Sequence, residues 1–209
     1  MKKISTLFFL FFILQLQAQI KAITEYGDDV ILMPDKTWKY KEDHKNKDIP
    51  TSKVEYKRSP SATQFYKSDI CSPFGFYVNE SVWKKMNSPS EDVEIAMQLR
   101  YGNAFLSFIA EKLPLTVEAL RQTIIYNAES VAPDLQIQKE EFRVVNGHKV
   151  LMIQMKGTIH GISFIYMGYY YVDGENAIQL LTYTNEATFT KFQKETEELL
   201  NGFDRLTNE

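Results

Sequence analysis

The chain has 209 residues, of which 44% are hydrophobic and 24% are charged, and these fractions exclude a wholly disordered protein. Its formal net charge is −3, so it lacks the strongly basic balance that general nucleic-acid binding requires. Cys71 is the single cysteine, which excludes an internal disulfide and leaves the fold to be stabilised by its core alone.

The first 18 residues have the pattern of a cleaved secretory signal peptide. Lys2 and Lys3 form a short positive segment, residues 7–14 form an uncharged apolar run, and Ala18 is a small residue suited to the position before the cleaved bond. The apolar run is shorter than the roughly 20 residues that a membrane-spanning helix needs, which disfavours the alternative of an uncleaved anchor. We therefore predict a periplasmic or secreted protein without a transmembrane segment in its mature form.

Two short regions are predicted between the signal peptide and the main domain. Residues 19–40 contain β-forming runs separated by turn residues, and they predict a small β-hairpin or three short strands. Because an isolated hairpin is marginally stable in water, this segment must dock on the larger domain or on a partner. Residues 41–68 are rich in Lys, Asp, Ser and Pro and have no apolar period, which is typical of a polar linker.

The main domain is predicted to cover residues 69–209, and its first half combines strands with one helix. Thr116 is a suitable N-cap for a helix that Pro133 ends, because proline cannot continue a helix. The apolar residues of this helix fall on one face. Apolar alternation or continuous apolar runs predict strands at residues 74–78, 93–99 and 104–110.

Tight turns join the strands of the second half of the domain. Asn146-Gly147 and Asp173-Gly174 are typical hairpin turns, and they predict an antiparallel meander that includes a long strand at residues 162–172. An amphipathic helix ending near Phe203 closes the domain. The order of strands, helix, meander and helix predicts an α+β fold, with a mainly antiparallel sheet sandwiched by helices and the β-hairpin as an N-terminal appendage.

Five segments between residues 72 and 203 carry a resemblance to a known family. They are FGFYVNESVW, TVEALRQTIIYNAE, FRVVNGHKVLMIQM, FIYMGYYYVDGENAIQLLTYT and the closing LLNGF. In order and turn positions they resemble the PsbP-like family of α/β/α sandwiches, which includes Mog-type proteins and exported bacterial members. The family usually has a proline before Trp83, and this chain does not. The resemblance implies a binding or assembly module with no shared catalytic site, although a fold alone does not fix a function.

Residues that could support catalysis are sparse. A nucleophilic mechanism needs a Ser or Cys within reach of a His, and the pairing of Cys71 with His148 or His160 stays open. The histidines and the cysteine are too scattered for a zinc site, and the acidic turns do not match a calcium-binding loop. We therefore predict no catalytic residue, no metal ligand and no cofactor.

The aromatic strand Phe164–Tyr171 is the strongest candidate for a binding role. Alternation places Phe164 and Tyr166 on one face of the sheet, and Tyr169 and Tyr171 on the other. One interpretation is a central strand that is packed on both faces. The other is a half-exposed tyrosine patch that binds a protein or an apolar ligand, with Tyr166, Tyr169 and Tyr171 as the candidate binding residues. Gly168 leaves a gap that a ligand ring or a neighbouring side chain could fill.

These observations favour an exported cell-envelope binding or assembly module without catalytic activity. Its expected partner is an envelope protein or an apolar ligand, and no nucleic acid is expected. The alternative is a small exported hydrolase or redox protein that uses Cys71 or His160.

Overall fold

The computed structural model describes residues 20–23, 29–33, 36–40 and 49–206. The predicted signal peptide lies outside these residues. The two helices of the described chain are α1, Val117–Val131, and α2, Glu186–Leu200. The strands are β1 Ile20–Ile23, β2 Asp29–Leu32, β3 Trp38–Tyr40, β4 Thr51–Tyr56, β5 Gln64–Lys67, β6 Phe74–Val78, β7 Trp83–Met86, β8 Ile95–Leu99, β9 Ala104–Glu111, β10 Gln136–Val145, β11 His148–Ile159, β12 Ile162–Val172, β13 Ala177–Asn185 and β14 Phe203–Arg205.

An eight-stranded sheet forms the body of the protein, in the order β4-β10-β11-β12-β13-β9-β8-β7. Strands β10 to β13 are consecutive in the sequence and adjacent in the sheet, and tight turns join them. Asn146 and Gly147 have φ values of 49° and 86°, as the predicted hairpin turn requires. All neighbouring strands of this sheet pair antiparallel except β4 and β10, which are parallel.

One face of the large sheet, termed the α2 face, is covered by two different elements. Helix α2 packs there, and so does a three-stranded sheet of order β14-β6-β5. Phe76, Phe108 and Leu200 meet in this core, and each has a relative exposure of 0%. The largest hydrophobic core of the described chain therefore lies between two sheets and a helix.

The opposite face, termed the α1 face, carries helix α1 over β11 and β12. Leu120 and Ile124 of the helix pack against Leu151 and Ile153 of β11. The side-chain oxygen of Thr116 accepts a hydrogen bond from the backbone N–H of Ala119 at 3.1 Å, which confirms the predicted N-cap. Strand β1 of the small β1-β2-β3 sheet contacts α1.

The predicted α+β class is wrong. Strands make up 50% of the described residues and helices 18%, so this part of the protein is mostly β. Each helix is only 15 residues long. On the α2 face, a second sheet packs beside helix α2. On the α1 face, helix α1 covers only part of the sheet. The large sheet is therefore not sandwiched by helices.

Part of the predicted polar linker also forms strands. Residues 51–56 pair with β10 as β4, and residues 64–67 pair with β6 as β5. Val54 is 60% exposed, and the other residues of β4 are exposed or half-buried. Edge strands need little apolar sequence, because one side of the strand and one face remain in water. Their polar composition therefore resembles that of a linker.

Candidate functional site

A groove of about 360 Å³ opens on the α1 face between helix α1 and the sheet. The C-terminal half of α1 forms a wall, and strands β9, β12 and β13 contribute the floor. This cleft is termed the α1 groove. Its lining residues are Asp92, Ile109, Glu111, Ile124, Asn127, Ala128, Val131, Ala132, Leu135, Met155, Ile159, Tyr166, Tyr170, Gln179 and Leu181.

Small residues set the position of the α1 wall. Ala132 is 2% exposed and follows the last residue of α1, and a Cβ atom on Gly157 of β11 would lie 2.7 Å from its Cβ. The helix end and β11 can therefore approach only because Gly157 has no side chain. Pro133 cannot continue the helix, so the chain turns and Leu135 also lines the groove.

A row of four aromatic side chains, termed the aromatic row, extends the α1 groove across the sheet. Its members belong to three adjacent strands. The centroids of neighbouring rings in the row are 5.3 to 6.3 Å apart. All four are half-buried. The burial of Tyr166 and Tyr183 raises the pKa of both phenols, so they remain protonated and uncharged at neutral pH. The row runs Phe105, Tyr183, Tyr166, Phe164.

The gap predicted at Gly168 is filled by a neighbouring side chain. A Cβ atom on Gly168 would lie 2.6 Å from the hydroxyl oxygen of Tyr170, two residues further along β12. The Tyr170 ring therefore lies along its own strand, over the glycine. Tyr170 is 1% exposed and lines the α1 groove, and its burial raises the pKa of its phenol.

The two ends of the groove floor differ in chemistry. Along β9, Phe105, Ile109 and Glu111 point to the α1 face, because the alternating residues Leu106, Phe108 and Ala110 belong to the α2-face core. The aromatic residue begins the strand and the carboxylate ends it. Asp92, which precedes β8, is the other charged lining residue. The floor is therefore aromatic at one end, apolar in the middle and acidic at the other end.

The structure separates the three tyrosines that the sequence singled out. Tyr166 lies on the α1 face in the α1 groove. Tyr169 and Tyr171 lie on the α2 face, where Tyr169 is 1% exposed and Tyr171 packs against Phe74 and Phe203 at ring distances of 5.1 and 5.3 Å. The three residues therefore do not form one patch.

Tyr169 takes part in a buried polar network. Its hydroxyl accepts a hydrogen bond from Nη1 of Arg143 at 2.9 Å and donates one to Oδ1 of Asn201 at 2.7 Å. Nε of Arg143 donates to Oε1 of Glu141 at 2.7 Å. Burial raises the pKa of Tyr169 to about 12, although the Arg143 charge acts in the opposite direction. The network joins β10, β12 and the end of α2.

The geometry around Cys71 does not favour nucleophilic chemistry. The cysteine is 1% exposed, and burial raises the pKa of its thiol, so the reactive thiolate is disfavoured. His160 is exposed in the β11–β12 turn with φ of 49°. Nε2 of His148 lies 3.3 Å from Oδ1 of Asp204, and its ring packs edge-on against Phe203.

Among residues 20–23, 29–33, 36–40 and 49–206, no group of three or more His, Cys, Asp or Glu side chains is placed to hold a metal ion. Asp173 serves as a turn residue: its Oδ1 accepts hydrogen bonds from the backbone N–H groups of Glu175 and Asn176. No helix in this described part of the chain is long and apolar enough to cross a membrane.

Comparison with solved structures shows the fold. The solution structure of cyanobacterial PsbP from Synechocystis has a TM-score of 0.51 and 13% sequence identity, over 71% of this chain and 95% of that chain. A protein of unknown function from Pseudomonas aeruginosa scores 0.45 at 11% identity, over 69% of this chain and 98% of that one. A protein from Bacteroides thetaiotaomicron scores 0.44 at 12% identity, over 65% and 46% of the two chains.

The cyanobacterial structure supports the fold assignment, because its TM-score is above 0.5. The chain therefore has a PsbP-like fold. No family model matches the sequence, and no curated protein matches it.

Sequence reasoning missed most of the α1 groove. Its lining residues come from α1 and from several strands that are far apart in the chain. One signal was available: alternation places the Phe105 and Tyr183 rings on faces of their strands that also carry the polar residues Ser107 and Gln179. Only strand order and register show that these rings stack with Tyr166, because Tyr183 lies opposite both Phe105 and Tyr166.

Proposed function

We propose that this protein is an exported, non-catalytic binding module of the cell envelope that belongs to the PsbP-like family and binds an apolar group in the α1 groove. The observation that carries the proposal is the groove itself, an apolar cleft continued by the aromatic row on a sheet face that α1 covers only in part. Concave, mainly apolar sites with a few polar groups are typical of ligand-binding pockets.

The energetics favour occupation of this groove. Burial of apolar surface is worth about 25 cal/mol per Å², so a ligand that covers the lining of the groove gains affinity without any charged contact. The stacked rings of the aromatic row provide flat surfaces for further packing. Tyr166 belongs to both features, and it is the predicted binding residue on which the proposal relies.

Two arguments support the rest of the proposal. The pattern of residues 1–18 favours export, and a fold without a disulfide is compatible with it because its aromatic α2-face core supplies the stability. The burial of Cys71 and the exposed position of His160 weigh against the hydrolase or redox alternative.

Binding to the groove can be tested with decanol, an uncharged apolar probe, and the protein lacking residues 1–18. Titration followed by methyl NMR should shift resonances of Ile109, Met155 and Leu181, which line the groove. Ala128→Trp places a large ring into the groove from α1, and we expect it to weaken decanol binding at least about tenfold, which is roughly 1.4 kcal/mol.

Ala187→Trp is the matched control, since Ala187 is exposed on α2 and the substitution adds the same bulk away from the groove. It should leave binding unchanged, and urea unfolding should show that both variants fold. Decanol shifts confined to other regions, or equal binding by both variants, would overturn the assignment of the groove. N-terminal sequencing of the protein secreted by its native host tests export separately, and a polypeptide that retains Met1 would contradict it.

A further inference from the structure

We infer that the ligand of the α1 groove is an elongated apolar group with a positively charged end, held with its charge beside Asp92 and Glu111 and its apolar body toward the aromatic row. This inference rests on the proposed function, because it assigns the ligand class and orientation within the same groove.

The charge of the groove lining has one sign. Asp92 and Glu111 are the charged groups among the lining residues, and neither a lysine nor an arginine of the described chain is among them. Both carboxylates are exposed. They can therefore attract a cation without being desolvated themselves, while the remaining polar lining groups, Asn127 and Gln179, are uncharged amides.

The strand pairing places the carboxylates at one end only. Glu111 pairs with Ala177 at the far end of β13, and Phe105 pairs with Tyr183 near the opposite end. These two positions are six residues apart on β9, which corresponds to roughly 20 Å along an extended strand. Ile109 and Leu181 lie between them, paired with the uncharged polar residues Gln179 and Ser107. A ligand in this orientation places its charged end beside the carboxylates, its middle on the apolar surface and its other end toward the aromatic row.

The expected electrostatic preference is modest because the carboxylates are exposed. Surface ion pairs are weak and screened by salt, and two of them should favour a cation over a neutral ligand of equal length by about two- to tenfold at low ionic strength. Aromatic faces also attract cations. The variants below distinguish a charge held by the carboxylates from one held by the aromatic row.

Three ten-carbon probes test the inference: decylammonium, decanol and decanoate, each titrated by calorimetry at low salt and neutral pH. We expect affinity to decrease in that order. The double variant Asp92→Asn with Glu111→Gln should bind decylammonium about as weakly as decanol, and decanol affinity should stay as it is. Methyl NMR with decylammonium should show shifts at Ile109 and Leu181.

The double variant Glu55→Gln with Glu198→Gln is the matched control, because it removes the same net charge from an exposed and a half-buried site outside the groove. It should retain the preference for decylammonium. A preference that survives in the groove double variant, or is lost equally in the control, would overturn the inference. Equal binding of decanol and decylammonium would also overturn it and leave the proposed function in place, whereas failure of all three probes would contradict the proposed function itself.

Discussion

The two faces of the large sheet are packed in different ways. On the α2 face, two sheets and a helix enclose Phe76, Phe108 and Phe203, each of which is at most 1% exposed. On the α1 face, one helix covers β11 and β12, and the aromatic row beside it stays half-buried. The same strands serve both faces. A single sheet can therefore hold a closed core on one side and a half-buried aromatic surface on the other.

Strand β9 shows the difference within a few residues. Phe108 points to the α2 face, contacts Phe76 at a ring distance of 5.2 Å and is 0% exposed. Phe105 points to the α1 face, stacks on Tyr183 at 5.3 Å and is half-buried. The residue type is the same, so the face alone decides whether the ring contributes to the closed core or to the open surface.

The largest expected effect comes from truncating the ring in the closed core. Phe108→Ala should lower the free energy of unfolding by about 3–5 kcal/mol, because it removes apolar contacts and leaves a cavity. Phe105→Ala is the matched substitution on the other face and should cost clearly less, since its ring is already partly in water. Urea unfolding measures both. Equal losses would show that the two faces are equally packed.

A smaller effect is expected from the buried polar network of the α2 face. Tyr169→Phe removes the hydroxyl that joins Arg143 to Asn201, and it should cost about 1–3 kcal/mol because buried polar groups lose their partner. Tyr166→Phe provides the comparison on the α1 face and should leave stability nearly unchanged. The idea of a stabilising network is contradicted if thermal and urea unfolding show no loss for Tyr169→Phe.

The smallest expected effect concerns the pH dependence of stability. Burial would raise the pKa of Glu141, but hydrogen bonds from Arg143 and Lys139 and their charges lower it below the ordinary value of 4.5. A carboxylate with a lowered pKa in the folded state stabilises the protein above its unfolded pKa, and this contribution is lost as the pH falls through the folded pKa.

Glu141→Gln keeps an acceptor for Arg143 and removes the titration. Between about pH 5 and pH 2 its urea midpoint should fall less steeply than that of the wild-type protein, since the window lies at and below the ordinary carboxylate pKa. The two midpoints should run parallel above that range. Identical slopes below pH 5 would show that Glu141 is not held ionised by the network.

The sequence predicted the parts of the fold that depend on local patterns. The strand at residues 162–172, the Thr116 cap and the Asn146-Gly147 turn all agree with the structure, because periodicity, capping and turn chemistry are properties of neighbouring residues. The fold class could not be predicted from such patterns, because short strands such as β5 and β14 carry almost no periodic signal. They exist because β6 offers them two edges.

The candidate site was predicted only at Tyr166. The pattern correctly separated the faces of β12, since Tyr166 and Tyr169 point in opposite directions. It could not show that Tyr169 is enclosed, because that depends on α2 and Arg143 from elsewhere in the chain. Nor could it show that Tyr170 occupies the space over Gly168. Side-chain packing of this kind depends on tertiary contacts.

The pairing of β14 with β6 has a consequence for how the chain matures. Phe203 lies opposite Phe76, so the last described strand completes a sheet that begins with residues near the start of the domain. During synthesis, the closed core lacks helix α2 and Phe203 until residues 186–205 have emerged from the ribosome. The meander of β10 to β13 can assemble earlier from local contacts. Completion of the α2-face core therefore requires helix α2 and strand β14, the last two elements of the described residues.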